Sequence, residues 1–170
     1  MDSDFFLVLR MKNGDEEAIE KIIQKYYPVI LRYCKYHISN NDDAEDITQE
    51  TFERFFYSIG NYKHQGKIIN YLYTIAGNLC KDFYKQKDKV SSTKIDYQEN
   101  GIEMQIEQKI DVNMAINRLP AELKEVTLLY YFQGLKLKEI SQILNISLPL
   151  VKYRIKEAKK KLEIFLERRK

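Results

Sequence analysis

Tryptophan is absent from this chain of 170 residues, and cysteine, histidine, proline and glycine are scarce, at two, two, three and six copies. Each shortage excludes something. Cys34 and Cys80 form no C-x-x-C and no disulfide framework. Cys34 and His37 make an isolated C-x-x-H, without the second pair of ligands a zinc site needs, so a place in the core suits the cysteine better. His37 and His64 are the only histidines, and there is no nucleophile motif and no glycine-rich phosphate loop. The expectation is a protein that is not an enzyme, with no metal, no cofactor and no small-molecule substrate. No apolar run approaches the ~20 residues of a membrane span. The start, MDSDFFLVLRMKNGD, is acidic ahead of its short apolar run, unlike a signal peptide. The expected location is therefore cytoplasmic.

What the chain has is charge, unevenly placed, and helical periodicity. Residues 1–90 carry a net charge of −1, residues 91–111 carry −3 and residues 112–170 carry +7. Such an asymmetry predicts different partners for different parts. No stretch alternates as a strand does, so the fold class is all-α. Gly14-Asp15 reads as a helix C-cap followed by an N-cap. A helix from Glu16 buries Ile19, Ile22, Ile23 and Tyr26 and runs past Pro28 with a kink. Asp42 with Glu45 makes a capping-box-like start for a helix to about Ile59, ended by Gly60-Asn61. A polar loop over 61–66 leads into a helix over 67–87. The acidic, weakly periodic segment 91–109 reads as a linker with a helical second half. A second helical block begins near Ile110, with Leu119-Pro120 between two helices and Leu123, Val126, Leu129, Tyr130 and Phe132 as core. Two helical domains, 1–90 and 110–170, are expected on either side of the linker.

The C-terminal stretch 134–162 is the most specific local signal. Ile140 and Leu144 mark the apolar side of one short helix, Asn145-Ile146-Ser147 breaks it, and Val151, Ile155, Ala158 and Leu162 recur at helical spacing in the next. Between them stand Lys152, Arg154, Lys156, Lys159, Lys160 and Lys161 against one acid, Glu157. Ser147 suits an N-cap, and Ile146 and Val151 have the spacing of a hydrophobic staple. Pro149 falls in the first turn, where its missing N–H costs little. This is the pattern of a helix-turn-helix that places side chains in a DNA major groove. A solvated lysine-rich face is the bland alternative.

Two further helices carry outward faces of opposite character. On 43–59, Ala44, Ile47, Thr51, Phe52, Phe55, Phe56 and Ile59 make the buried side, while Asp46, Gln49, Glu50 and Glu53 share the other. That stripe repels phosphates, and its partner is either a basic protein surface or water. On 67–87, Ile68, Leu72, Ile75, Leu79 and Phe83 form the buried stripe. Thr74, Asn78, Lys81 and Lys85 share another face, with Tyr71, Tyr73 and Tyr84 nearby and Tyr62, Lys63, His64 and Lys67 ahead of them. Cations beside aromatics suit a single-stranded nucleic acid, the cations for phosphates and the rings for bases. Tyrosines in the core and lysines in water are the plain alternative.

In this order the pieces resemble the extracytoplasmic-function (ECF) group of the sigma-70 family of bacterial RNA polymerase sigma factors. Region two of that family is similar to Gly14-Asp15, to the run Asp43 through Phe52 (DAEDITQETF) and to Tyr71 through Asp82 (YLYTIAGNLCKD), where Tyr71 stands for the usual Trp. Region four is similar to Leu119-Pro120, to GLKLKEIS at 134–141 and to Leu150-Val151-Lys152-Tyr153-Arg154. Lys136 replaces the usual Ser or Thr N-cap, at ~1 kcal/mol unless another group caps that helix. Pro149, Leu150 and Tyr153 depart from the usual residues where DNA is read. The resemblance implies that the stripe Asp46, Gln49, Glu50 and Glu53 docks on the clamp helices of the largest subunit of core RNA polymerase, the family's contact positions matching the first three. It implies that Tyr62, Lys63, Lys67, Tyr71, Thr74, Asn78, Lys81 and Lys85 hold the melted −10 strand of promoter DNA. Leu150, Lys152, Tyr153 and Lys156 would sit near base edges of the −35 element, with Arg154 and Lys159 on phosphates or on the fold. An anti-sigma factor is the further partner implied. The rival reading is a helix-turn-helix regulator that binds duplex DNA without polymerase, which leaves the acidic face without a role.

Overall fold

A computed structural model describes residues 3–63, 66–90 and 107–167. His64 and nearly all of the linker expected at 91–109 lie outside the described residues. All the regular structure among the described residues is helical, and contacts divide the chain into two compact units, 1–100 and 101–170.

The first unit holds four helices, α1 (Ser3–Lys12), α2 (Glu16–His37), α3 (Asn41–Ser58) and α4 (Ile68–Val90). Helix α2 is the hub, packed against the other three. Gly14, at φ +79°, supplies the left-handed turn that ends α1, and Asp15 caps α2 by accepting from Ala18 N at 3.3 Å. The buried stripe of α2 is Ala18, Ile22, Tyr26, Ile30, Tyr33 and Cys34. Ile19 and Ile23 lie at its edge, half-buried, because the stripe steps by four along Ala18, Ile22, Tyr26 and Ile30. Pro28 sits inside the unbroken helix, on its exposed side. The cap of α3 is Asn40, accepting from Asp43 N at 3.0 Å, so Asp42 falls in the first turn rather than at the cap. Thr48 and Thr51 are buried on α3 and satisfy their hydroxyls on the Ala44 and Ile47 carbonyls, each at 2.7 Å. On α4 the buried residues are Ile68, Leu72, Tyr73, Ala76, Leu79 and Cys80, while Ile75 and Phe83 are half-buried.

Helix α1 was not foreseen in the periodicity. Its inward residues are Asp4, Val8 and Met11, while Phe5, Phe6 and Leu9 stay exposed. The Asp4 carboxylate accepts from Lys25 Nζ at 2.6 Å and from the Tyr26 hydroxyl. Burial and the bond to Asp4 push the Tyr26 phenol up to about 12.

The second unit holds α5 (Glu107–Asn117), α6 (Ala121–Thr127), a π-helical turn (Leu128–Phe132), α7 (Leu137–Leu144) and α8 (Leu148–Glu167). Helix α5 already runs at Glu107, ahead of Ile110, in the second half of the linker segment, where a helix is expected. In this unit Val126, Leu128, Leu129, Ile140, Val151 and Ala158 are the most buried residues, and Leu119, Leu123 and Ala158 form a cluster that Leu162 partly covers. The π turn closes through Gln133 N to the Leu128 carbonyl at 3.0 Å. Its wider turn rotates the register, so Leu128 goes inside and Tyr130 comes out to the surface, against the α-helical expectation for Tyr130.

Candidate nucleic-acid interface and docking face

The acidic stripe of α3 forms as its spacing predicts. Asp46, Gln49 and Glu53 are exposed, while Glu50 is half-buried. Buried Ala44, Ile47, Thr48, Thr51, Phe52 and Phe55 fix the opposite side of the helix against α2 and α4. Glu50 is engaged within its own helix, accepting from Arg54 Nε at 3.0 Å and Nη2 at 2.6 Å. The Arg54 and Glu50 side chains themselves stay 55% and 46% exposed, so a partner can displace this pair at small cost. Pattern reasoning missed Tyr57, which continues the stripe one turn beyond Glu53 and is 91% exposed. No other described large apolar or aromatic side chain is as open, and a tyrosine so placed suits a protein interface. Its signal in the sequence was its spacing of four from Glu53 and seven from Glu50.

The second surface joins the loop before α4 to one face of α4. Tyr62 and Tyr71 are brought together, ring centroids 5.1 Å apart, and both lean on buried Phe55, at 5.8 and 6.1 Å. The Tyr71 hydroxyl donates to Ser58 Oγ at 3.3 Å. Both residues are half-buried, so the paired rings form an aromatic ledge that is partly open to solvent. Lys67, Tyr71, Thr74, Asn78, Lys81 and Lys85 follow at i, i+4, i+7, i+11, i+14 and i+18, which places them on one side of α4. Lys63, Lys67, Asn78, Lys81 and Lys85 are exposed there. Thr74 gives its hydroxyl hydrogen to the Asn70 carbonyl at 3.0 Å, which leaves its oxygen as an acceptor. Two tyrosines of the sequence reading belong elsewhere. Tyr73 is buried on the side of α4 that carries Ala76 and Cys80, its ring 5.1 Å from that of Tyr33. Burial pushes its phenol well above the usual tyrosine range. Tyr84 donates to the His37 carbonyl at the end of α2.

The third surface is the helix-turn-helix in the second unit. Helix α7 starts without a side-chain N-cap, as Lys136 has no acceptor, but Glu139 reaches back and accepts from Lys136 N at 2.9 Å. Half a capping box therefore offsets part of the missing Ser or Thr. The apolar side of α7 is Ile140 and Ile143, with Leu144 only half-buried. Asn145 ends it at φ +51°, a left-handed conformation that asparagine tolerates, and Ile146 N reaches back to the Ser141 carbonyl at 3.1 Å. Ser147 then opens α8, its Oγ 3.4 Å from Leu150 N. Val151 and Ala158 are buried, and Ile155 and Leu162 are half-buried. Pro149, Lys152, Tyr153, Lys156 and Lys160 share the outward side, with Lys159 exposed beside them and Leu150 half-buried. Tyr153 is 59% exposed. Arg154 goes elsewhere: its side chain is 16% exposed and its Nη2 lies 2.9 Å from Glu122 Oε2 of α6. Of the two uses expected for Arg154, phosphate or fold, this geometry serves the fold. Lys159 keeps only a long pair with Glu163, at 3.9 Å.

Among the described residues no group of His, Cys, Asp and Glu could hold a metal ion, and no helix is long and apolar enough to cross a membrane. Comparison with known proteins gives two matches along the chain. The sequence profile of Sigma-70 region 2 matches residues 22–90, and that of Sigma-70, region 4, matches residues 109–162. The chain is 29% identical to the ECF RNA polymerase sigma factor SigW of Bacillus subtilis (strain 168), over 91% of this chain and 92% of SigW. It is 30% identical to the ECF RNA polymerase sigma factor SigM of the same organism, over 76% of this chain and 83% of SigM. The solved structure of CnrH in complex with the cytosolic domain of CnrY has the same fold. It aligns with a TM-score of 0.78 over 98% of each chain, at 18% identity.

Proposed function

This chain belongs to the sigma-70 family of RNA polymerase sigma factors, in its ECF group, and we propose that it acts as three surfaces on two units. Residues 1–90 form region two, 91–109 the linker and 110–170 region four. Asp46, Gln49, Glu50 and Glu53 dock on the clamp helices of the largest subunit of core RNA polymerase, with Tyr57 as an aromatic anchor at the end of the stripe. Tyr62, Lys63, Lys67, Tyr71, Thr74, Asn78, Lys81 and Lys85 hold the melted strand of the −10 element. Flipping a base from the stack costs a few kcal/mol, which the aromatic ledge and backbone contacts offset. Lys152, Tyr153 and Lys156, with Leu150 behind them, meet base edges of the −35 element, and Lys159 meets phosphate.

The observation that carries this reading is the acidic face of α3 beside a cationic, aromatic face in the same unit. A protein that bound duplex DNA alone would have no use for a face that repels phosphate. The protein works in the cytoplasm, catalyses no step itself and takes no small-molecule substrate. An anti-sigma factor holds it inactive by covering its polymerase-binding faces; the neighbour CnrH was solved with the cytosolic domain of CnrY, which supports a protein partner for this fold.

The test is transcription in vitro with core RNA polymerase on a library of genomic fragments. The expected result is a small set of transcripts that depend on the added chain. Folded protein that co-purifies with core polymerase yet yields no dependent transcript would overturn the reading.

A further inference from the structure

We propose that α1 is a brace for the strand-reading loop and that Lys12 is its positioning residue; this rests on the reading of Tyr62, Lys63 and Lys67 as −10 contacts. Helix α1 lies outside the span matched by region 2, residues 22–90, so that match gives it no task.

Both ends of α1 are fastened, by different chemistry. At its first turn the Asp4 side chain is 3% exposed and is held by Lys25 and Tyr26 of α2. A desolvated carboxylate with two donors fixes the helix in place, because leaving it unpaired is costly. In its last turn Arg10 reaches forward to Asp15 at 2.7 Å and Glu17 at 2.8 Å, which closes the turn at Gly14. In the same last turn Lys12 Nζ donates to the Tyr62 carbonyl at 2.7 Å, fifty residues along the chain. The Tyr62 backbone is thus held by α1, and its ring by Phe55 and Tyr71. A loop ordered before its ligand arrives loses less entropy on binding, so the brace tightens strand capture without touching the strand.

The test uses the chain assembled with core polymerase on a promoter recovered from the fragment library. Strand capture is read as the affinity for the fluorescein-labelled non-template strand of that promoter, and opening as permanganate reactivity of its unpaired thymines. Lys12→Met, which keeps the apolar stem, is expected to weaken strand binding about three- to tenfold and to reduce opening. Affinity for core polymerase and the slope of log affinity against log salt stay unchanged, and Lys12→Arg restores binding. A slope reduced by about one would make Lys12 a phosphate contact and overturn the brace. Unchanged strand binding in Lys12→Met, with a loss in Lys63→Ala/Lys67→Ala, would also overturn it while leaving the loop reading intact. No loss in either variant would overturn the loop reading itself.

Discussion

The outer faces of α3 and α8 are built alike and differ in sign. Each helix buries an apolar stripe and turns a charged side outward. On α3 that side is Asp46, Gln49, Glu50 and Glu53 ending in Tyr57; on α8 it is Lys152, Tyr153, Lys156 and Lys160. Each carries one exposed tyrosine among its charges. Packing alone would accept either sign on either helix. The sign therefore reports the partner: phosphate is drawn to α8 and repelled from α3, while a basic protein surface is drawn to α3.

Reversing the sign on α3 is the sharpest way to break this contrast. Asp46→Lys/Glu50→Lys is expected to weaken binding to core polymerase by two powers of ten or more, since like charges across an interface cost several kcal/mol. Thermal stability and duplex DNA binding should hold, because neither residue is buried. A pull-down with core enzyme beside a thermal melt reads both.

A second contrast lies in how the two units are held. The first depends on a buried carboxylate, so Asp4→Ala should destabilise it by about 2 kcal/mol while leaving the melting of the second unit in place. The same cluster makes the first unit sensitive to alkali. Tyr26 ionises near its ordinary 10 in the unfolded chain and at about 12 when folded. Its contribution is intact below pH 10 and is lost as pH rises through 12. Buried Tyr73 acts in the same direction. The melting temperature of the first unit should fall across that window, and Tyr26→Phe should flatten the fall.

On α8 the contrast is between neighbours. Lys152→Ala and Lys156→Ala should each reduce the salt slope of duplex binding by about one, with little effect on stability. Arg154→Ala should do the reverse, costing about 1 kcal/mol of stability in the second unit with the slope unchanged, because its guanidinium is paired with Glu122. The smallest effect is a gain. Lys136→Ser gives α7 the cap it lacks and should stabilise the second unit by ~0.5–1 kcal/mol.

Much of this was legible in the residues. Local chemistry carried Gly14-Asp15, Gly60-Asn61 and Ser147, because caps and breaks depend on near neighbours. Period 3.6 carried the faces of α3 and α8, because each has one apolar stripe. What stayed hidden depends on distant parts of the chain. Helix α1 shows no clean stripe, since Phe5, Phe6 and Leu9 face out while Asp4 faces in toward Lys25 and Tyr26. Tyr73 and Tyr71 are the same residue type two positions apart, and Tyr73 goes inside with Ala76 and Cys80, against Tyr33 of α2. Arg154 looks like its basic neighbours until α6 brings Glu122 to it. The π turn moved Tyr130 outward by a register change that no α-helical period contains.

The central claim is that α3 makes this chain a polymerase subunit rather than a DNA-binding module. Run-off transcription from one recovered promoter tests it most directly, comparing the unaltered chain with Asp46→Lys/Glu50→Lys at equal duplex DNA occupancy. A defined transcript with the first and none with the second is the predicted result. Equal transcript from both would contradict it.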